Sequence, residues 1–133
     1  MKEALIDTDI LSMFLRGNKT VEANIREYIS YFSTINISIV TYYEILSGLK
    51  YKDANKQLES FIKLCESVTI FPVTKESSDH SADIYAALRQ SAQIIDDIDI
   101  LIAGICLENG FVLVTNNTKH FSRIKDLEID NWC

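Results

Sequence analysis

The sequence predicts an α/β fold, a three-layer α/β/α sandwich around a central, mainly parallel sheet. Short apolar or β-branched runs alternate along the chain with longer segments whose apolar residues recur at helical spacing. Strands separated by helices pair in parallel, because a parallel pair needs a long crossover connection. The runs 4–6 and 111–114 are apolar throughout, which is typical of strands buried on both faces of a sheet.

The first half of the chain alternates strand and helix. Residues 4–6 form a short apolar strand, and the apolar spacing of 10–15 predicts a helix directly after it. The segment 21–32 is amphipathic and helical. Residues 35–39 alternate as a strand, and 42–49 return to helical spacing.

The second half continues the alternation. Residues 57–65 and 75–90 read as helices, and 68–73 is a β-branched strand between them. The segment 98–108 is apolar nearly all round, which indicates a buried helix. The remaining strands are 111–115 and 127–129. The residues of the long helix expected to face inward are Ala82, Tyr85, Ala86 and Leu88.

Composition limits the class of protein. A chain of 133 residues with 47% hydrophobic content and no linker or repeat predicts one domain, 1–133. A net charge of −6 excludes a grip on nucleic acid through overall positive charge, although it permits a local basic rim. Three cysteines without metal-ligand spacing predict neither a disulfide framework nor a zinc site. With no membrane span or signal segment apparent, we expect a soluble, cytoplasmic protein.

Polar residues with side-chain oxygens gather where an α/β sheet binds ligands, beyond the carboxyl ends of its strands. They are Asp7 and Asp9 after the first strand, Glu44 in a helix, Asp96, Asp97 and Asp99 at the start of the buried helix, and Asn116 and Asn117 after the strand 111–114. Each of these four stretches has a purely structural explanation for at least one of its residues. Asp9, Thr41 with Glu44, and Asp96 or Asp97 are in sequence contexts that cap helices.

Capping accounts for one acid per helix and leaves Asp7 and Asp99 unexplained. If Asp7, Glu44 and Asp99 converge, each pair at about 4 Å repels by about 4 kcal/mol at an effective dielectric of 20. Such a cluster needs protonation or a counter-ion. Oxygen ligands without His or Cys select a hard cation, Mg²⁺ or Mn²⁺.

Four segments, taken in order, resemble the motifs of the PIN-domain family, and in particular its VapC-type toxins. They are LIDTDILS at 5–12, ISIVTYYEILSG at 37–48, DIDILIA at 97–103 and LVTNNTKHF at 113–121. The resemblance runs nearly end to end. It implies a PIN-like fold and a Mg²⁺-dependent endoribonuclease, the toxin of a type II toxin–antitoxin module. It also implies an RNA substrate, a cognate antitoxin and a homodimer.

Carried onto this chain, the resemblance implies a catalytic set of acids: Asp7, Glu44, Asp97 and Asp99. Asp7 and Asp99 are the expected metal ligands. Asn117 stands where many members carry Asp, which removes one charge from the site. Asp9 stands where many members carry Asn, and we expect it to brace the loop.

The expected reaction is hydrolysis of an RNA phosphodiester by a metal-activated water. Either Glu44 or Asp97 would accept the proton of that water. Thr8 and Thr115, at the strand ends, are expected to hydrogen-bond the carboxylates or the scissile phosphate. The cations predicted foremost to hold substrate phosphates are Arg16, Lys50, Lys119 and Arg123. The further candidates for the rim of the cleft are Lys19, Lys52, Arg89, His120 and Lys125.

Two other functions stay open at this stage. A catalytically idle PIN-like domain that only binds a protein is suggested by Asn117. The Asp-x-Asp at 7–9 also suits an aspartyl-phosphate phosphatase of the haloacid dehalogenase type, with Asp7 as nucleophile and Asp9 as acid. That class places its later acidic pair at a strand end, whereas here Asp96 and Asp97 open a helix.

Overall fold

A computed structural model describes all residues, 1–133, and places five strands in one parallel sheet of order β3-β2-β1-β4-β5. The strands are β1 (Ala4–Ile6), β2 (Asn36–Ser38), β3 (Thr69–Phe71), β4 (Val112–Val114) and β5 (Ile129–Asp130). The helices are α1 (Thr8–Leu15), α2 (Lys19–Phe32), α3 (Ile39–Tyr51), α4 (Asn55–Cys65), α5 (Lys75–Gln90), α6 (Asp97–Asn109) and α7 (Thr118–Phe121). The predicted fold class is confirmed.

The sheet separates two apolar clusters, one on each face. Ala4 and Ile6 belong to the cluster that contains residues of α1, α2 and α4, whereas Leu5 belongs to the cluster built on α5 and α6. Successive side chains of a strand point to opposite faces, so both faces of β1 must be apolar. This is why the central strand reads as an uninterrupted apolar run. None of the helices has the length and apolarity that crossing a membrane would demand.

The long helix α5 faces inward through a different set of residues from the predicted one. Its buried residues are Ser77, Ser81, Ile84 and Leu88, while Ala82, Tyr85 and Ala86 are exposed. The prediction was therefore wrong for three of four positions. The reason is the close approach of α6, whose Gly104 has no room for a Cβ because that atom would lie 2.5 Å from the Ser77 carbonyl oxygen.

The helix starts also differ from the sequence prediction. Helix α1 begins at Thr8, with Asp7 at its N-cap, rather than at Ile10. Helix α3 begins at Ile39 and is capped by Ser38, whose hydroxyl accepts from the Thr41 amide at 2.9 Å. The predicted capping box of Thr41 with Glu44 is therefore wrong, and both side chains are free to act elsewhere.

Candidate active site

The candidate site begins with Asp7, at the carboxyl end of β1. The parallel register pairs Ile6 with Val114, so the residues that follow each strand lie side by side. The Thr115 hydroxyl donates to Asp7 Oδ2 at 2.8 Å, and the Thr8 amide donates to Oδ1 at 2.8 Å. Asp7 is only 5% exposed, so both hydrogen bonds are shielded from water.

Burial raises the pKa of Asp7 to about 7, because a carboxylate loses its hydration in the protein interior. The nearby charges of Asp9 and Asp99 raise this pKa further, while the hydrogen bonds from Thr115 and Thr8 oppose the shift. Near neutral pH the Asp7 carboxyl group therefore exchanges readily between its charged and neutral forms. A positive charge placed beside it would favour the carboxylate.

Asp9 fastens the loop after β4 to the first turn of α1. Its Oδ1 accepts from the Ile10 amide at 2.7 Å, and its Oδ2 accepts from the Asn116 amide at 3.0 Å. Both carboxylate oxygens therefore have backbone donors. This confirms the expectation that Asp9 braces the loop.

Glu44 is held at the same edge by hydroxyl groups. The Thr8 hydroxyl donates to Glu44 Oε1 at 2.6 Å and lies 2.9 Å from the hydroxyl of Thr41, which is fully buried. The amide of Thr8 contacts Asp7 while its hydroxyl contacts Glu44, so one residue links the two acids. Thr8 and Thr115 therefore do hydrogen-bond the carboxylates, as predicted, whereas the contribution of Thr41 was missed.

Asp99 lies in the first turn of α6 and is half-buried. Burial raises its pKa to about 6, and the charges of Asp96, Glu44 and Asp9 act in the same direction. The charge of His120 opposes this shift. Since Asp99 also raises the pKa of Asp7, the three predicted core acids are electrostatically coupled across three separate elements.

The other predicted site residues have different surroundings. Asp97 is exposed and makes no side-chain hydrogen bond. Asn117 donates its backbone amide to the Thr115 hydroxyl at 3.0 Å, and its Nδ2 lies 3.0 Å from His120 Nδ1. Asn117 thus supports the residue that holds Asp7, and it contacts the imidazole whose charge lowers the pKa of Asp99.

The donor set suits a hard divalent cation, because it consists of carboxylates whose mutual repulsion a cation would relieve. No three acidic, histidine or cysteine side chains are arranged to hold one ion together. An ion at this edge would therefore take one or two protein carboxylates and complete its shell with water or phosphate oxygens. Mg²⁺ is commonly bound in this way.

A groove of about 540 Å³ opens beside Thr8 and Glu44, between α1, α3 and α4. Of the predicted phosphate-binding cations, Arg16 and Lys52 line it. Lys50 and Lys119 are exposed and lie outside its lining, and Arg123 lines a different groove of about 340 Å³ beside α5. Lys56, which the sequence analysis missed, also lines the first groove.

Comparison with known proteins agrees with the fold. The family model described as PIN domain matches residues 4–127. The chain therefore belongs to the PIN-domain family.

Two relatives narrow the assignment to the VapC ribonucleases within that family. Ribonuclease VapC2 of Rickettsia felis is 27% identical over 129 residues, covering 96% of both chains. The tRNA(fMet)-specific endonuclease VapC of Salmonella typhimurium is 30% identical over 105 residues, covering 76% of this chain and 77% of that protein. The fold also matches a crystal structure of DNA-bound VapBC from Salmonella typhimurium, with a TM-score of 0.89, 23% identity and full coverage of both chains.

Proposed function

We propose that this chain is a Mg²⁺-dependent endoribonuclease and the toxin of a toxin–antitoxin pair. The observation that carries the proposal is that Thr8 hydrogen-bonds both Asp7 and Glu44 at one sheet edge, with Asp99 close enough for its charge to raise the pKa of Asp7. The names of the relatives support RNA as substrate. Solved VapBC complexes support an antitoxin partner.

In this proposal Asp7 and Asp99 hold the metal. Bound Mg²⁺ would supply a water of lowered pKa and polarise the phosphoryl oxygens of the substrate. Thr115 and the Thr8 amide fix both oxygens of Asp7, so the carboxylate has little freedom to turn away. Asn117 in turn donates to Thr115 and limits the movement of that hydroxyl.

Glu44 is the better of the two proton acceptors. Its Oε1 is held by the Thr8 hydroxyl, and its charge acts on Asp99. Asp97, by contrast, is exposed to solvent. We therefore assign the removal of a proton from the attacking water to Glu44 and a supporting electrostatic role to Asp97.

The partners follow from the same assignment. A cognate antitoxin would neutralise the toxin, and a second copy of the chain would form a homodimer. Large apolar side chains are available for such contacts on α3, where Tyr43 is 63% exposed and Ile39 is 40% exposed. We place the activity in the cytoplasm, because that is where RNA and a newly made antitoxin are both present.

The test is expression of the chain with and without the neighbouring open reading frame, followed by mapping of RNA 5′ ends. We expect growth arrest and discrete new 5′ ends, relieved by the neighbouring gene and absent in Asp99→Asn. Addition of EDTA to the purified enzyme should stop cleavage. Metal-independent cleavage that leaves 2′,3′-cyclic phosphate ends would exclude the mechanism.

The idle-domain function is the second candidate, because Asn117 removes a charge from the site. It predicts neither growth arrest nor new RNA ends. The phosphatase alternative finds no support, since both oxygens of Asp9 accept from backbone amides and the general-acid role would require a free carboxyl group.

A further inference from the structure

We infer that the groove between α1, α3 and α4 binds the sugar-phosphate backbone of the RNA strand beside the cleavage site. Three cations define it: Arg16 after α1, Lys52 at the end of α3, and Lys56 in the first turn of α4. This inference rests on the proposed function, which it deepens by assigning the path of the substrate.

The charge of the groove is opposite to that of the whole molecule. Its lining carries three cations and one carboxylate, that of Glu44, in a chain whose net charge is −6. The ion pairs of the protein are Lys2 with Glu128 and Glu22 with Lys19 and Arg26, so none of the three groove cations is neutralised by a carboxylate. A local positive surface on an acidic protein attracts a polyanion to that place alone.

The groove is continuous with the acidic site. Thr8 and Glu44 belong to its lining, and Thr8 is also the residue whose amide holds Asp7. A strand that lies along Arg16, Lys52 and Lys56 therefore leads directly to the carboxylates. The cations would neutralise the phosphates that flank the scissile one, which the acids alone would repel.

The remaining lining determines how RNA is recognised. Ser60 and Gln57 offer hydrogen bonds, and Leu15 and Leu49 add apolar surface, but no aromatic side chain lines the groove. Bases of single-stranded RNA are usually selected by stacking on aromatic rings. The groove thus contributes affinity that is independent of base sequence, and sequence choice must come from elsewhere.

The test measures RNA binding without turnover. All variants carry Asp99→Asn, EDTA is present, and the probe is a fluorescein-labelled, mixed-sequence single-stranded RNA of twelve nucleotides. The groove variant is Lys52→Gln with Lys56→Gln. The matched control is Lys63→Gln with Lys75→Gln, which removes the same charge from two exposed lysines outside the groove.

We expect the groove variant to bind about 25-fold more weakly at about 0.1 M salt, and its slope of log affinity against log salt to fall by about 1.4, as for two lost contacts to single-strand phosphates. The control should match the parent. Equal weakening of both pairs, or of neither, would overturn the inference. So would groove-dependent binding of poly-glutamate together with an absence of RNA binding, since the occupant would then be an acidic protein segment.

The binding result is separable from the proposed function. If the chain binds RNA through the groove but never cleaves it, the groove is confirmed as an RNA-binding surface and the proposed nuclease activity is wrong. If metal-dependent cleavage occurs and the groove substitutions do not affect it, the proposed nuclease activity is confirmed and the role of the groove in RNA binding is wrong.

Discussion

Replacing Asp7 by Asn is expected to stabilise the metal-free protein above about pH 7 and to abolish RNA cleavage. Asp7 is 5% exposed, and its pKa rises from 3.8 to about 7 in the folded state. Between those two pH values the unfolded chain loses this proton first. The folded state then binds more protons than the unfolded state, so the contribution of Asp7 to the free energy of unfolding falls as the pH rises.

The magnitude follows from the size of the shift. A rise from 3.8 to about 7 corresponds to about 4 kcal/mol of destabilisation once the pH exceeds 7. Asn stays neutral and removes this cost, but its Nδ2 faces the Thr115 hydroxyl and weakens a hydrogen bond worth about 1 kcal/mol. The net gain is therefore about 3 kcal/mol near pH 8, and it should vanish near pH 4.

Urea unfolding in EDTA at three pH values measures this difference. Asp79→Asn, which removes an exposed carboxylate from α5, serves as the control and should change stability by less than about 0.5 kcal/mol. The reasoning is refuted if Asp7→Asn is less stable than the parent at pH 8, or if the difference between the two proteins is the same at every pH. Activity and stability should thus move in opposite directions, as expected when a functional site is strained by its own charges.

Three further predictions concern the packing, the hydroxyl network and the metal. Gly104→Ala should lower the free energy of unfolding by about 2–3 kcal/mol, because the new Cβ meets Ser77 and Ser81. Gly48→Ala, in open space on α3, should instead raise the free energy of unfolding by up to about 1 kcal/mol. Urea unfolding of both variants measures these changes. Thr8→Val should lower the rate of RNA cleavage by about 10-fold or more, because Glu44 loses the hydroxyl that holds it. Thr8→Ser keeps a hydroxyl and should restore most of the rate. Single-turnover cleavage measures both variants, and a Thr8→Val rate equal to that of the parent would contradict the role of the hydroxyl. Mg²⁺ at 100 times its Kd should stabilise the parent by about 2.7 kcal/mol and shift its Tm upward, and a similar shift in Asp7→Asn would argue against Asp7 as a ligand.

The sequence by itself determined the order of the five strands and the six longer helices, although it missed the short helix α7. Both faces of a central parallel strand are buried, so β1 is a continuous apolar run in the sequence. The polar residue that follows it, Asp7, therefore lies at the edge of the sheet. The alternation of strand and helix then placed Asp7 and Thr115 at that same edge. Patterns of this kind can be recognised in the sequence without knowing which residues pack against them.

Only the tertiary structure decided which face of a helix is buried and which cations share a surface. The periodicity of α5 fits several rotations about its axis, and the close approach of Gly104 selected the serine-containing face over the one with Tyr85. Arg16, Lys52 and Lys56 follow or begin three different helices, and they line one groove because α1, α3 and α4 pack together. These arrangements depend on contacts between residues far apart in the chain, and a local sequence pattern does not predict such contacts.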